Sequence, residues 1–181
     1  MRNVLRILSV ILMISLLCSC TPESKRVTEL SLKFDASGNY IGFKEIPSNY
    51  SASQAYRDSC LVIFESGEIP DKYEIYAGKE NWQNFYDMTE KNQDTKIRVA
   101  QYYKDTTYFE DIFYIDEKFH YFNSKNNELT DVTYNYILKL SSVYHGFEEI
   151  DVKYVLTNDN KLTYDEVIDS LKNEDSNKRF L

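Results

Sequence analysis

The chain contains few residues that could carry out covalent or acid–base chemistry. It has three cysteines, Cys18, Cys20 and Cys60, and two histidines, His120 and His145. Nucleophilic catalysis needs a nucleophile beside a base that a third group orients. Cys60 begins an apolar run with no basic residue or histidine next to it, so we expect it to be a buried small hydrophobe. The sequence therefore predicts no catalytic residue.

The acidic residues and possible metal ligands do not indicate a catalytic or metal site either. Adjacent acidic residues occur at Glu110-Asp111, Asp116-Glu117 and Glu148-Glu149, and such pairs can run glycoside hydrolysis. Neighbours in a strand point to opposite faces, however, and nothing in the sequence selects one pair, so we expect solvated surface groups. Asn158–Asn160 fails the calcium-loop pattern and predicts a turn. We predict no metal site and no cofactor.

The amino terminus has the features of an export signal. Arg2 and Arg6 provide positive charge, and Ile7–Leu17 is an apolar stretch. Leu17-Cys18-Ser19-Cys20 resembles the lipobox of bacterial lipoproteins, in which the final cysteine receives a diacylglyceryl group. This resemblance implies a signal peptide over residues 1–19, cleavage between Ser19 and Cys20, and lipidation of Cys20. The expected location is the outer, extracytoplasmic face of the cell membrane, with residues 20–28 as a polar tether.

The charge excludes two classes of partner. The formal net charge is −8, and loss of the leader, which carries Arg2 and Arg6 but no acidic residue, makes the mature chain more acidic. Nucleic acids and anionic lipid headgroups select clustered lysine and arginine. We therefore expect no nucleic-acid partner, and we expect membrane attachment to come from the lipid alone.

The remaining chain predicts one α+β domain over residues 29–173, followed by a frayed tail over 174–181. Its clearest element is a helix over Lys79–Asn92, in which Trp82 and Phe85 lie on an apolar stripe. Consecutive strands with short connections predict an antiparallel sheet of about five strands, with this central helix packed on one face and short flanking helices. The other predicted helices begin near Ser51 and Thr163, and the predicted strands are 30–34, 40–46, 60–65, 96–103, 108–115, 118–123, 134–141 and 152–156.

Tyrosine is the one residue type whose abundance suggests binding. The chain has 16 tyrosines, and several fall on predicted strands. If Tyr102, Tyr103, Tyr114 and Tyr121 share an exposed face, they form a hydrogen-bonding aromatic platform for a protein, peptide or glycan partner. The alternative is that these rings form cross-strand pairs that stabilise the sheet.

Residues 51–171 resemble a group of small extracytoplasmic lipoproteins of low-GC Gram-positive bacteria that have no assigned activity. The resemblance implies a location and a related fold, and it implies no reaction and no catalytic residue. The segments that carry it are Ser53–Ala55, Asp58–Ile63, Trp82–Phe85, Ile97–Tyr103 and Tyr154–Asp159.

Three functional hypotheses follow from these observations. The first is a membrane-tethered binding or interaction domain, based on the anchor and the tyrosines. The second is an enzyme acting on cell-wall or exported substrates, with a carboxylate pair assisted by His120 or Arg98. The third is an inhibitor or immunity protein against a cationic extracellular agent, based on the acidic charge.

Overall fold

The computed structural model describes residues 30–65, 73–103, 106–125, 127–143, 150–173 and 179–180. The predicted signal peptide with Ser19 and Cys20, the tether, His145 and Glu148-Glu149 lie outside the described residues. Internal contacts divide the chain into Met1–Ser31 and Leu32–Leu181, and the fold below is that of the second unit.

A mixed sheet of six strands, ordered β2-β1-β3-β4-β5-β6, forms the centre of this unit. All neighbouring strands are antiparallel except β1 and β3, which are parallel. The α+β class is confirmed, but the predicted set of about five antiparallel strands is wrong in detail. A parallel pair needs a crossover, and here β2 and a helix intervene between β1 and β3. The strands are β1 (Leu61–Glu65), β2 (Tyr73–Ala77), β3 (Thr95–Tyr102), β4 (Thr107–Ile115), β5 (Lys118–Asn123) and β6 (Glu128–Tyr134).

A second sheet contains β7 (Tyr136–Val143), β8 (Ile150–Thr157) and β9 (Arg179–Phe180), paired in that order. The sequence predicted one strand over 134–141, but Tyr134 ends β6 and Tyr136 begins β7. Arg179–Phe180 falls in the stretch predicted to be a frayed tail, and it pairs antiparallel with Val155 and Leu156 of β8.

The described residues form three α-helices, which are α1 (Ala52–Arg57), α2 (Lys79–Glu90) and α3 (Tyr164–Asn173). The predicted capping box of α3 is complete, since Thr163 N donates to Glu166 Oε2 at 2.8 Å and Glu166 N donates to Thr163 Oγ1 at 3.4 Å. At α1 only half of the box forms. Ser51 Oγ accepts from Gln54 N, but the Gln54 side chain donates to Asp58 instead of returning to Ser51.

Some predicted strands are wrong and some strands were missed. The strands expected over 30–34 and 40–46 are replaced by an isolated bridge between Phe34 and Tyr40 and by a 3₁₀ turn over Gly42–Glu45. Conversely, β2 lies in a segment predicted to be irregular, and most of β6 lies in a segment predicted to be a polar loop. In both cases pairing with a buried neighbouring strand overrides the local turn signals.

The central sheet is covered on both faces. We call the side packed against α2 the helix face, where Trp82 and Phe85 of α2 contact Leu61, Ile97 and Ile112 of the sheet. Trp82 is buried, as its place on the apolar stripe predicts, and its ring meets that of Tyr154 in β8 edge-on at 5.0 Å. This core extends to the second sheet through other buried residues, which include Ile137 and Leu156.

We call the opposite side of the sheet the N-terminal face, because residues 34–55 cover much of it. Tyr40 stacks on Phe122 of β5 with ring centroids 4.0 Å apart, and Ala55 of α1 packs against Val62 and Ala100. Cys60 is buried in the same cluster, as expected for a cysteine in an apolar run. A polar contact also fixes the segment, since Tyr40 N donates to Leu129 O at 2.6 Å.

Candidate interaction surface

The four tyrosines proposed as one binding face do not lie on one exposed surface. Tyr114 and Tyr121 are buried on the helix face, only 6% and 2% exposed. The Tyr114 hydroxyl donates to Asn92 Oδ1, and the Tyr121 hydroxyl donates to Glu110 Oε1, each at 2.9 Å. These two rings fill the core because they point to the helix face of their strands, which α2 covers. The prediction that they contribute to a binding face is therefore wrong.

Tyr103 and Tyr102 are half-buried, on opposite sides of the sheet. Tyr103 follows β3, donates a hydrogen bond to Gln101 Oε1 at 3.2 Å and packs edge-on against Tyr108. Tyr102 is the last residue of β3 and faces the N-terminal side, where its hydroxyl donates to Tyr50 O at 3.1 Å. Burial raises the pKa of the Tyr102 phenol to about 12, so it remains a hydrogen-bond donor at neutral pH.

Tyr102 belongs to a different aromatic surface, which we call the aromatic strip: Phe64, Tyr76 and Tyr102. The Phe64 ring stacks on Tyr102 at 5.3 Å and meets Tyr76 edge-on at 5.0 Å. The three rings come from β1, β2 and β3, which are neighbours in the sheet. Tyr76 is 66% exposed and Phe64 is 37% exposed. The strip is thus a continuous aromatic surface at one end of the sheet.

A β-bulge explains how Tyr76 joins this surface. The register between β1 and β2 shifts between Val62, which pairs with Ala77, and Ile63, which pairs with Ile75. Tyr76 is the extra residue, and such a bulge re-aims a side chain and increases the local twist. Ala77 then packs with Val62 while Tyr76 contacts Phe64, so both side chains lie on the N-terminal face.

The strip borders the outer edge of β2. β2 is the terminal strand of its sheet, and within the described ranges only β1 pairs with it. An edge strand presents unpaired N–H and C=O groups that can bind an extended segment by strand addition. Ile75, on the other side of β2, is 53% exposed and adds a second apolar contact. The edge and the strip together offer main-chain hydrogen bonds and side-chain contacts to one partner.

Sequence reasoning identified Tyr102 alone of this surface. Phe64 ends a run that predicts a central, buried strand, and Tyr76 lies between Pro70 and Gly78, whose turn signals conceal β2. The signal that could have located β2 is its composition, Tyr-Glu-Ile-Tyr-Ala, which is rich in strand-forming residues.

The residues considered for catalysis are engaged in separate structural pairs. Asp111 lies on the N-terminal face, where Arg98 Nε and Nη2 each donate to it at 2.6 Å and Tyr40 donates at 2.6 Å. Glu110 lies on the helix face with Tyr121, and His120 Nδ1 is 2.8 Å from Asp131 Oδ2. The expectation that Glu110-Asp111 is solvated is wrong, because both side chains are buried. The sheet separates Glu110 from Asp111, and His120 is paired with Asp131, so these groups do not form one acid–base site.

The Arg98–Asp111 pair shapes the ionisation of its neighbours. Burial acts to lower the pKa of Arg98, but the hydrogen bonds and charge of Asp111 outweigh it, and the pKa is raised. Burial also raises the pKa of Tyr40, and the negative charge of Asp111 adds to the effect. Both groups therefore hold their protons over the ordinary pH range, which suits a permanent ion pair and not proton transfer.

An open cleft of about 500 Å³ lies where the end of α2 meets the β4–β5 hairpin and the start of β7. Its walls include Glu90, Glu117 and Asn135, and its floor includes Phe119 and Ile137. These groups would favour a cation over an anion, but they include no nucleophile paired with a base. In the stretches that the structure describes, no cluster of three metal-ligating side chains occurs, and no helix is both long and apolar enough to cross a membrane.

Comparisons with known proteins give no relative for this chain: no family model, no curated protein and no solved structure matches it.

Proposed function

We propose that the protein is a lipoprotein anchored to the outer face of the cell membrane through Cys20, whose folded domain is a binding module for a partner protein or peptide. The observation that supports the binding role is the aromatic strip beside the outer edge of β2, which pairs with no other strand among the described residues. The leader and lipobox pattern support the anchor, and the resemblance to small extracytoplasmic lipoproteins agrees with it. The mature domain would act on the extracytoplasmic side, held by its acyl chains.

The surface suits binding for physical reasons. Exposed aromatic rings provide a large contact area at low conformational-entropy cost, and tyrosine adds a hydroxyl that can hydrogen-bond. Phe64 and Tyr102 are already fixed by stacking, so little side-chain freedom remains to be lost when a partner docks. A free edge adds main-chain hydrogen bonds whose strength does not depend on the partner's sequence.

The anchor can be tested by fractionation of intact cells that express the full chain. Cys20→Ala should remove the protein from the membrane fraction or block processing, and metabolic labelling with palmitate should be lost. Cys18→Ala is the matched control, because Cys18 lies within the leader and should leave labelling and fractionation unchanged. Equal labelling of the two variants would contradict the anchor.

The binding role can be tested with a photo-crosslinking amino acid placed at one position at a time in intact cells. A probe at Tyr76 should form a discrete adduct with a partner. A probe at Tyr136, which is exposed on β7 in the second sheet, is the control and should form none. Absence of an adduct at Tyr76, or the same adducts at both positions, would contradict a binding role for the strip.

The inhibitor or immunity hypothesis is a narrower form of the same proposal. Its specific support is the acidic charge, which would attract a cationic agent. The enzyme hypothesis gains no specific support, because the residues it invokes, such as Arg98 and His120, are held in the pairs described above.

A further inference from the structure

Several aromatic sites of this protein have a feature that the aromatic strip lacks. Four other ring sites each carry a lysine or arginine over a ring, with the cation 5.2–6.0 Å from the centroid. The ring faces are electron-rich and attract such cations. The cation and ring sites are Lys96 with Phe113, Arg98 with Phe43, Lys125 with Tyr103 and Tyr108, and Lys139 with Tyr86 and Tyr154.

In the described part of the chain, the strip has no such cation, although Tyr76 and Phe64 are more exposed than the rings that carry one. Within the described residues, no lysine or arginine lies over Phe64, Tyr76 or Tyr102. The strip therefore presents electron-rich ring faces in a chain whose net charge is −8.

Building on the proposed binding role, we propose that the partner is an extended peptide segment carrying a lysine or arginine, which pairs with the edge of β2 and places its cation over the strip. Charge complementarity selects this partner over an acidic or purely apolar segment. The edge selects an extended backbone, because only a strand can match the hydrogen-bonding groups of β2. The cation of the peptide would lie over a ring of the strip, as a lysine or arginine of the chain itself does at the four other ring sites.

Geometry supports the combination of the two contacts. Side chains of an added strand alternate between the two faces of the sheet. A residue directed to the N-terminal face would reach Tyr76, the strip residue on β2 itself, and its neighbours would reach Ile75 on the helix face. The expected recognition pattern is thus a basic residue flanked by apolar ones.

The test is selection of random dodecapeptides displayed on phage against the full mature chain, purified in detergent. Peptides retained by the wild-type chain should be enriched in lysine and arginine relative to the starting library. Tyr76→Ala should lose this enrichment, because it removes the most exposed ring without disturbing the core. Tyr136→Ala, which removes an exposed tyrosine from the second sheet, should keep it.

A selected peptide then tests the role of the charge directly. Replacement of its lysine by Nε-acetyl-lysine keeps the length but removes the charge, and it should weaken binding by about two- to fivefold. Tyr76→Phe retains an aromatic face and should bind the unmodified peptide with nearly wild-type affinity.

The possible outcomes distinguish the cationic partner from the binding role of the strip. Peptides that bind through Tyr76 but show no enrichment in basic residues, or no effect of acetylation, would overturn the cationic partner and leave the binding module standing. If no peptide is enriched, or if Tyr76→Ala retains the same peptides as the wild type, both proposals fail for this surface. Concentration-dependent dimers that Tyr76→Ala abolishes would overturn the peptide in favour of a second copy of the chain.

Discussion

Glu110 and Asp111 are adjacent in β4, yet their carboxylates are buried on opposite faces of the same sheet. Glu110 accepts hydrogen bonds from Tyr121 and Asn123 on the helix face, each at 2.9 Å. Asp111 accepts two from Arg98 on the N-terminal face. A buried charge is costly unless it is paired and hydrogen-bonded. Asp111 is paired with Arg98, and Glu110 accepts hydrogen bonds from two buried side chains. The Glu110 cluster thus joins β4 to β5, and the Asp111 cluster joins the sheet to the N-terminal segment through Tyr40.

Asp111→Ala should be among the most destabilising single substitutions in the chain. It would leave Arg98 without its carboxylate and Tyr40 without its acceptor. Breaking a buried pair in this way costs about 3–5 kcal/mol. Urea unfolding followed by Trp82 fluorescence measures the change. Glu45→Ala is the control, since Glu45 pairs with Lys33 at the surface and its loss should change stability little. Equal effects of the two variants would show that the buried pair is not a stabilising element.

Stability should also fall at alkaline pH. The pKa of Tyr40 is raised in the folded chain by burial and by the charge of Asp111, whereas an unfolded tyrosine ionises near 10. The folded state therefore keeps its proton after the unfolded state has lost it. The resulting stability is fully present below pH 10 and is lost as the pH rises above it, by about 1.4 kcal/mol per pH unit.

Unfolding by urea at pH 8 and at pH 11 checks this effect, with Tyr40→Phe as the comparison. The variant loses the hydrogen bond to Asp111 at both pH values, but it should show a shallower decline in stability between them. An identical decline in the two proteins would show that Tyr40 does not carry the effect.

Some elements could be predicted because their signals are local. The stripe of Trp82 and Phe85 gave α2, and Thr163 with Glu166 gave the start of α3. The burial of Glu110 and Asp111 could not be predicted, because it depends on partners that only the tertiary fold supplies. Tyr40, for example, lies 71 residues from Asp111 in sequence.

The candidate surface was missed for a related reason. A binding face needs aromatic rings that are both adjacent and exposed. Alternation along a strand predicts which side chains share a face of the sheet, but it does not predict which face other elements cover. Tyr114 and Tyr121 were assigned to the binding face because they fall on predicted strands, but α2 and the second sheet cover the face on which they lie. The place of Tyr76 depends on a one-residue shift in register, which no pattern in the sequence shows.

Cys60 should be unreactive in the folded protein. Burial raises the pKa of its thiol, even though a hydrogen bond with Tyr50 at 3.6 Å acts in the opposite direction. The thiolate is the reactive form of cysteine. A raised pKa lowers the fraction of thiolate, and burial restricts access to the sulfur, so both slow the reaction with a thiol reagent. In a chain that begins at Thr21, Cys60 is the only cysteine. Its reaction with a disulfide reagent at pH 8 should be slower by about two orders of magnitude or more than in urea. Similar rates in the two conditions would show that the site opens readily.

Substitutions in the turn between β4 and β5 should increase the stability of the protein. Asp116 and Glu117 connect Ile115 directly to Lys118, and both have positive φ angles, 51° and 60°. A two-residue hairpin turn with this backbone favours Asn-Gly, because asparagine and glycine adopt the left-handed region at less cost than other residues. Replacing both residues by Asn-Gly should therefore raise the free energy of unfolding by about 1 kcal/mol.

The control is Lys118→Gly, which places glycine one residue later, at the start of β5, where φ is not positive. There glycine should lower stability by about 0.5–1 kcal/mol, because it adds freedom to the unfolded chain without relieving strain. Urea unfolding of both variants and the wild type decides the matter. If the Asn-Gly variant is no more stable than the wild type, the side chains of Asp116 and Glu117 must form contacts in the folded state that offset the strain of their backbone.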